Sequence, residues 1–240
     1  MAQDFERNTA NGVGTSAVTL RTANSDDAIV GITVANVTTS QITVEVYIND
    51  GSNDNSRKFL EENLNLYDHL VSLNHNRGKG FAIREGLKKV SGEIVLIQDA
   101  DLEYLPHNYK KLLAPFKSHN ADVVYGSRLI YTDVHRVIFF WHMLANKMIT
   151  FFSNIFTNLN LTDIETGYKI FRSDVLKKIE LKENSFAFEI EVTQKIAKIK
   201  PNLKIFEVGI SYFGRSYEEG KKIKFKDAVY ALFAIFKYIF

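Results

Sequence analysis

The chain has 240 residues, with 30 lysines and arginines against 28 aspartates and glutamates for a formal net charge of +2. That length suits one well-buried domain, or one domain with an appendage, and the near balance of charge supplies no global field for nucleic acid. No cysteine is present, which excludes disulfides, thiolate metal sites and a cysteine nucleophile and fits a reducing compartment.

The opening "MAQDFERNTANG" is polar and acidic, without a basic n-region or apolar h-region, so no secretory signal is expected. Residues 1–44 form an atypical segment rich in Thr, Ser, Asn, Val and Ala. In it "AIVGITVANV" (28–37) reads as a strand, and "QITVEVYIN" follows as a second. In the latter Ile42, Val44, Val46 and Ile48 alternate with Thr43, Glu45, Tyr47 and Asn49, the pattern of burial on one face. Only the polar "TTSQ" separates the two strands. Adjacent parallel strands need a crossover of about a dozen residues, so residues 28–37 and 42–48 are predicted to form an antiparallel hairpin.

From residue 51 strands and helices alternate. "NSRKFLEENL" reads as a helix, "HLVSLNH" as a strand, "KGFAIREGLKKV" as a helix with a Gly-rich start and "EIVLIQDA" as a strand. "LPHNYKKLLAPFKS" then reads as a helix and "ADVVYGSRL" as a strand. This alternation predicts an α/β domain with a mostly parallel sheet flanked by helices. Residues 136–156 and the closing "DAVYALFAIFKYIF" are apolar, but neither is an uninterrupted run of the roughly 20 residues that span a bilayer. Core helices and membrane-surface contact are both open readings for them.

In such sheets ligands bind beyond the carboxyl ends of the strands, where Asp50, Asn76, Asp99 and Gly126 fall. "NDGSND" puts Asp50 at a loop tip, and "NHNRGKGFAIREG" brings glycines, Arg77 and Lys79 to a helix start suited to phosphate oxygens. "IVLIQDADLEY" sets Asp99, Asp101 and Glu103 at alternate positions, where their like charges repel unless a cation joins them. Oxygen donors of this kind suit Mg²⁺ or Mn²⁺. Arg128 in "YGSRL" can grip an anion bidentately. Each motif has a structural alternative: "DGS" is a common turn, and Glu189 and Glu191 favour a helix start by charge alone.

Taken in order, "DGSND", "NRGKG", "IVLIQDADLEY", "DVVYGSRL", "ETGYKIFR", "FAFEIE" and "SYFGRSYEEGKKIKFKDAVYALFAIFKY" resemble family-2 glycosyltransferases of the GT-A, Rossmann-like fold. The resemblance is to the branch of dolichyl-phosphate mannose synthase and related polyprenyl-phosphate sugar transferases, and it runs from Glu45 to the end. It implies a GT-A domain over 45–225, N-terminally incomplete, and a C-terminal amphipathic helix over 226–240. It also implies inverting, metal-dependent transfer from a GDP- or UDP-sugar to a polyprenyl phosphate at the cytoplasmic face of a membrane. By this resemblance Asp50, Lys79 and Asp99 bind the donor, and Asp99, Asp101 and Glu103 hold Mg²⁺ or Mn²⁺. Arg128, Arg136, Arg215 and Lys222 hold the acceptor phosphate; Asp163 and Glu191 match family positions and could act as bases toward a hydroxyl acceptor. The chain departs from the pattern before residue 45: the first buried strand, its Pro-x-x-Asn-Glu-like turn and the following helix have no counterpart. Residues 1–44 are instead faintly similar to β-rich pieces of phage structural proteins, which opens a second reading, an inactive remnant serving as a binding module.

Overall fold

The computed structural model describes residues 2–9, 13–21, 29–35 and 43–239, apart from 53, 101–102, 132–134, 138, 200–201, 217 and 219–224; side chains are described from Val46 on, except those of Phe225 and Lys226. Strands β1 (Ala2–Thr9) and β2 (Val13–Arg21) pair antiparallel as a separate two-stranded sheet. Strands β3 (Ile29–Ala35) and β4 (Thr43–Asp50) then form the expected antiparallel hairpin. The alternating part runs α1 (Ser56–Glu62), β5 (His69–Leu73), α2 (Lys79–Leu87), β6 (Ile94–Asp99), α3 (Tyr109–Ser118) and β7 (Val123–Ser127). It continues through α4 (Phe140–Thr157), β8 (Lys169–Arg172), α5 (Ser173–Leu176), α6 (Phe188–Ile199), β9 (Ile205–Gly209) and α7 (Phe225–Lys237).

Among the described residues seven strands form one sheet in the order β5-β4-β3-β6-β8-β7-β9. The pairs β4–β5 and β7–β9 are parallel, whereas β3 is antiparallel to β4 and β6, and β8 to β6 and β7. Five strands therefore point one way and β3 and β8 point back. Sequence patterning does not single out β8: its four residues, KIFR, are too few for a period-two signal.

Alternation along the central strands divides the core between the two faces. Ile94 and Leu96 of β6 join Leu112 and Phe116 of α3 on one face. Val95 and Ile97 join Ala82 and Ile83 of α2, and Ile190 and Ile196 of α6, on the other. On β7, Val124 faces the first cluster and Val123 and Tyr125 the second. The result is a helix–sheet–helix sandwich.

This arrangement brings Asp50, Asp99 and Ser127, the last residues of β4, β6 and β7, to one edge. Because β3 runs backwards, it meets that edge with its start: Ile29 lies opposite Asn49, and Val30 opposite Asp99. Residues 22–28, which precede β3, lie outside the described residues. Among the described residues no helix is long and apolar enough to cross a membrane.

Phe171 of β8 is fully buried in the second cluster. Phe171→Ala should cost about 3–5 kcal/mol through lost contact and a residual cavity, read as a shift of the urea midpoint at unchanged slope. Lys58→Ala on the exposed side of α1 should stay within about 0.5 kcal/mol.

Candidate functional site

Asp50 is fully buried at the end of β4. Its carboxylate accepts the backbone N–H groups of Arg77 at 2.8 Å and Gly78 at 2.7 Å, which fixes the loop between β5 and α2. Gly78 has φ +93°, and a Cβ there would lie 2.4 Å from the Asn184 carbonyl, so this turn admits only glycine. Asp50 therefore shapes the glycine loop that the sequence singled out.

Lys79, the first residue of α2, is buried and places its Nζ 2.7 Å from Asp99 Oδ2 and 2.7 Å from Glu189 Oε1. Glu189 reaches on to the buried Lys169, whose Nζ also donates to the carbonyls of Ile164 and Thr166 at 2.8 and 2.6 Å. Burial pulls the Lys79 ammonium down, but Asp99 and Glu189 on either side outweigh it and hold the group protonated above its usual range. Burial likewise pushes the Glu189 carboxyl up, and Lys169 and Lys79 more than reverse this. The sequence offers Glu189 only as a helix-start charge, and it is the packing of α6 that brings it to Lys79 and Lys169.

Glu165 stands beside this cluster. The residue is partly exposed, yet its Oε1 is sealed from solvent and unpartnered. Burial, reinforced by the Glu189 charge, pushes its carboxyl up to about 7. Gly167 closes the space between: a Cβ there would meet Asp99 Oδ2 at 2.6 Å and the Tyr104 ring at 3.0 Å.

A second group lies around residues 212–215. The Arg128 guanidinium grips the buried Asp163 bidentately, Nε to Oδ2 and Nη2 to Oδ1 at 2.7 Å each, and Asn146 adds a bond to Oδ1 at 2.9 Å. Burial pushes the Asp163 carboxyl up, but Arg128 pulls it below its ordinary value. Arg128 also lies over the Tyr212 ring, 5.2 Å from its centre. Arg136 donates to the carbonyls of Tyr212 and Gly214, through its backbone N–H and its Nη1, at 3.1 Å each. Glu103 accepts the Tyr212 hydroxyl at 2.8 Å and the Arg215 backbone and Nε at 2.8 and 3.3 Å. Three of the four arginine and lysine residues implied for an acceptor phosphate, Arg128, Arg136 and Arg215, therefore gather at one loop; Lys222 lies outside the described residues.

Glu103 lies beyond the end of β6 at Asp99, and its carboxylate meets Tyr212 and Arg215. Glu191 is fully buried. It accepts the backbone N–H groups of Lys182 and Glu183 at 2.7 and 2.8 Å and the Lys195 ammonium at 2.6 Å. Asp101 lies outside the described residues, among which no group of three acidic or histidine side chains could hold a metal ion. Asp99 nevertheless fits one: Lys79 engages its Oδ2, while the side chain, at the strand end, retains 19% exposure.

A model of the family described as Glycosyl transferase family 2 matches residues 33–180. An uncharacterized protein of Methanocaldococcus jannaschii is 29% identical over 192 residues, covering 74% of this chain and 82% of that protein. A dolichyl-phosphate beta-glucosyltransferase of Trichomonas vaginalis is 26% identical over 200 residues, 77% of this chain and 58% of that protein. An undecaprenyl-phosphate mannosyltransferase of Micrococcus luteus is 32% identical over 148 residues, covering 58% and 56%. The chain thus spans little more than half the length of these two transferases. Among solved structures, glucosyl-3-phosphoglycerate synthase from Mycobacterium tuberculosis in complex with UDP superposes with a TM-score of 0.61 at 14% identity, covering 81% of this chain and 68% of that one. The same enzyme with Mn²⁺ and UDP-glucose gives 0.58 at 14% identity, covering 77% and 62%. At such identities the likeness is one of fold.

The Glu165 carboxyl generates a pH prediction. The unfolded chain releases this proton near 4.5, the folded chain near 7, so the unfolded state gains as pH rises between the two values. Wild-type stability should fall by on the order of 2 kcal/mol across that window. Glu165→Gln should remove this part of the slope in urea titrations from pH 4.5 to 8.

Proposed function

Because the chain belongs to glycosyl transferase family 2, we propose that it moves a sugar, with inversion, from a nucleotide-diphosphate sugar to a polyprenyl phosphate. The observation that carries this reading is the Lys79–Asp99 pair at the end of β6, directly beyond a glycine loop that Asp50 fixes. At the start of α2 the backbone N–H groups of Lys79 and Gly80 have no partner within the helix and favour phosphate oxygens, whereas that of Phe81 is taken by the Asn184 carbonyl. Mg²⁺ or Mn²⁺, held by Asp99 and Asp101, would supply positive charge at the leaving diphosphate. That M. tuberculosis relatives of this fold carry Mn²⁺ or Mg²⁺ with UDP accords with this.

An oxygen of the acceptor phosphate attacks the anomeric carbon, the bond from that carbon to the diphosphate breaks, and its electron pair leaves with the nucleoside diphosphate. The attacking oxygen is already ionised, so no strong base is needed. This agrees with the carboxylates at hand: Asp163 is clamped by Arg128 and Asn146, and Glu191 by two amides and Lys195. Arg136 and Arg215, at the loop beside Arg128, hold the acceptor phosphate, and Lys222 joins them. A hydroxyl acceptor would require a base, for which Glu165, titrating near neutrality, is suited; loss of transfer in Glu165→Gln would favour that acceptor class.

The acceptor's lipid character is matched by an apolar face. On α4, Trp141, Leu144, Met148, Phe151 and Ile155 are exposed at alternating spacings of three and four, one side of the helix. On α7, Tyr230, Phe233 and Phe236 are exposed, and Phe156 meets Phe236 with ring centres 5.4 Å apart. The two stripes join into one patch suited to lying in a lipid surface, with Lys147 exposed on α4.

Isothermal titration of GDP- and UDP-sugars with Mn²⁺ should give heat with at least one donor; silence with all of them would leave the inactive binding module standing. Asp101→Ala should then lower turnover by at least about 100-fold, and turnover at the wild-type rate would refute the metal assignment. In flotation assays with anionic vesicles, Trp141→Ser with Phe233→Ser should shift the protein to the unbound fraction. Equal partitioning would remove the lipid surface from the proposal.

A further inference from the structure

We infer that Glu183 is a positioning residue that couples α7 to the turn carrying Lys79, so that the surface under α7 sets the geometry of the donor edge. The inference deepens the reading above and rests on it for what the two ends bind. The coupling itself is a chain of contacts.

Glu183 lies in the irregular segment between α5 and α6 and is buried. Its carboxylate collects three groups from the end of the chain: Lys237 Nζ at 2.6 Å, the Tyr238 hydroxyl at 2.8 Å and the Tyr230 hydroxyl at 3.2 Å. Two of the donors belong to α7 and the third follows it. The rest of the inner face of α7 is apolar, with Ala231, Ala234 and Ile235 in the core and Ala228 and Leu232 packed against it. The charge-assisted bonds to Glu183 add direction to this apolar contact.

The backbone at Glu183 faces the other way. Its N–H is held by Glu191 Oε2 at 2.8 Å and its carbonyl by the Arg84 guanidinium of α2 at 2.9 Å. The next carbonyl, of Asn184, accepts the Phe81 N–H at 3.2 Å. The two glycines flanking Lys79 rest directly on these carbonyls: a Cβ on Gly80 would lie 2.3 Å from the Glu183 oxygen, and one on Gly78 2.4 Å from the Asn184 oxygen. No slack separates residues 183–184 from the turn that aims Lys79 at Asp99 and Glu189. A displacement of α7 that carries Glu183 with it must therefore move that turn. Coupling of this kind is reciprocal: a lipid surface that fixes α7 firms the Lys79 turn, and occupancy at the donor edge strengthens the grip of α7 on the surface by the same factor.

Hydrogen–deuterium exchange on the full chain tests this without any nucleotide sugar. The proteins compared are wild type, Glu183→Gln and the double variant Lys237→Met with Tyr238→Phe, which leaves residues 181–184 intact. Each is measured alone and with phosphatidylcholine–phosphatidylglycerol vesicles. In both variants residues 79–83 should exchange roughly tenfold faster, with 69–73 and 205–209 unchanged, the mark of a local opening. Vesicles should slow exchange at 79–83 in wild type and not in the variants. Unchanged exchange at 79–83, or acceleration spread evenly over the chain, would overturn the coupling and leave Glu183 a general stabiliser. If the variants fail to fold, the wild-type vesicle arm decides alone, measured on protein that co-floats with the vesicles: indifference of 79–83 in that bound fraction overturns it. Failure of the transferase reading is seen separately, as absence of donor heat.

Discussion

A single ammonium group, that of Lys79, holds the carboxyl edge of the sheet together. It sits between Asp99 at the end of β6 and Glu189 on α6, and Glu189 in turn meets Lys169 on β8. Burying any one of these charges alone would cost several kcal/mol. Together they form two cations against two carboxylates, and each ion is satisfied by the next. Glu165 is the carboxylate left over. With no cation to itself, it relieves the repulsion by keeping its proton to near neutrality.

That balance constrains the backbone around it. Lys79 reaches both partners because the turn before α2 is drawn down onto Asp50 and packed against the carbonyls of Glu183 and Asn184. Gly167 lets the chain pass beside the Asp99 carboxylate, where any side chain would collide. The second group obeys the same electrostatic logic at a separate place: Arg128 is neutralised by Asp163, and Arg215 by Glu103. The edge thus carries two charge-matched clusters, one on the β4–β6 side and the other at the loop after β9.

Much of this was legible beforehand, for local reasons. The period-two and helical patterns set the order of elements from α1 to β7. The four-residue "TTSQ" linker was too short for a crossover, which made the β3–β4 hairpin antiparallel. The apolar run ending in Asp99 marked the carboxyl edge of the sheet, where ligands are expected in folds of this kind. What escaped was long-range. Glu189 and Glu191 differ by two positions on one helix, and the sequence favoured Glu191 for chemistry. The rotation of α6 instead sends Glu189 to Lys79 and Lys169, and Glu191 to the amides of residues 182–183. Glu103 likewise followed the strand period on paper and left it in space, since the strand stops four residues earlier.

By itself, then, the sequence determined which segments become strands and helices and which side chains stand at their carboxyl ends, because backbone preference and hydrophobic period act over a few neighbouring residues. Only the tertiary structure decided which charge meets which. Lys79 finds Asp99 at a separation of 20 residues, Arg128 finds Asp163 at 35 and Glu103 finds Tyr212 at 109. Those pairings are selected by desolvation: a charge carried into the core must meet its opposite there, and which opposite lies within reach is fixed by how helices and reversed strands pack.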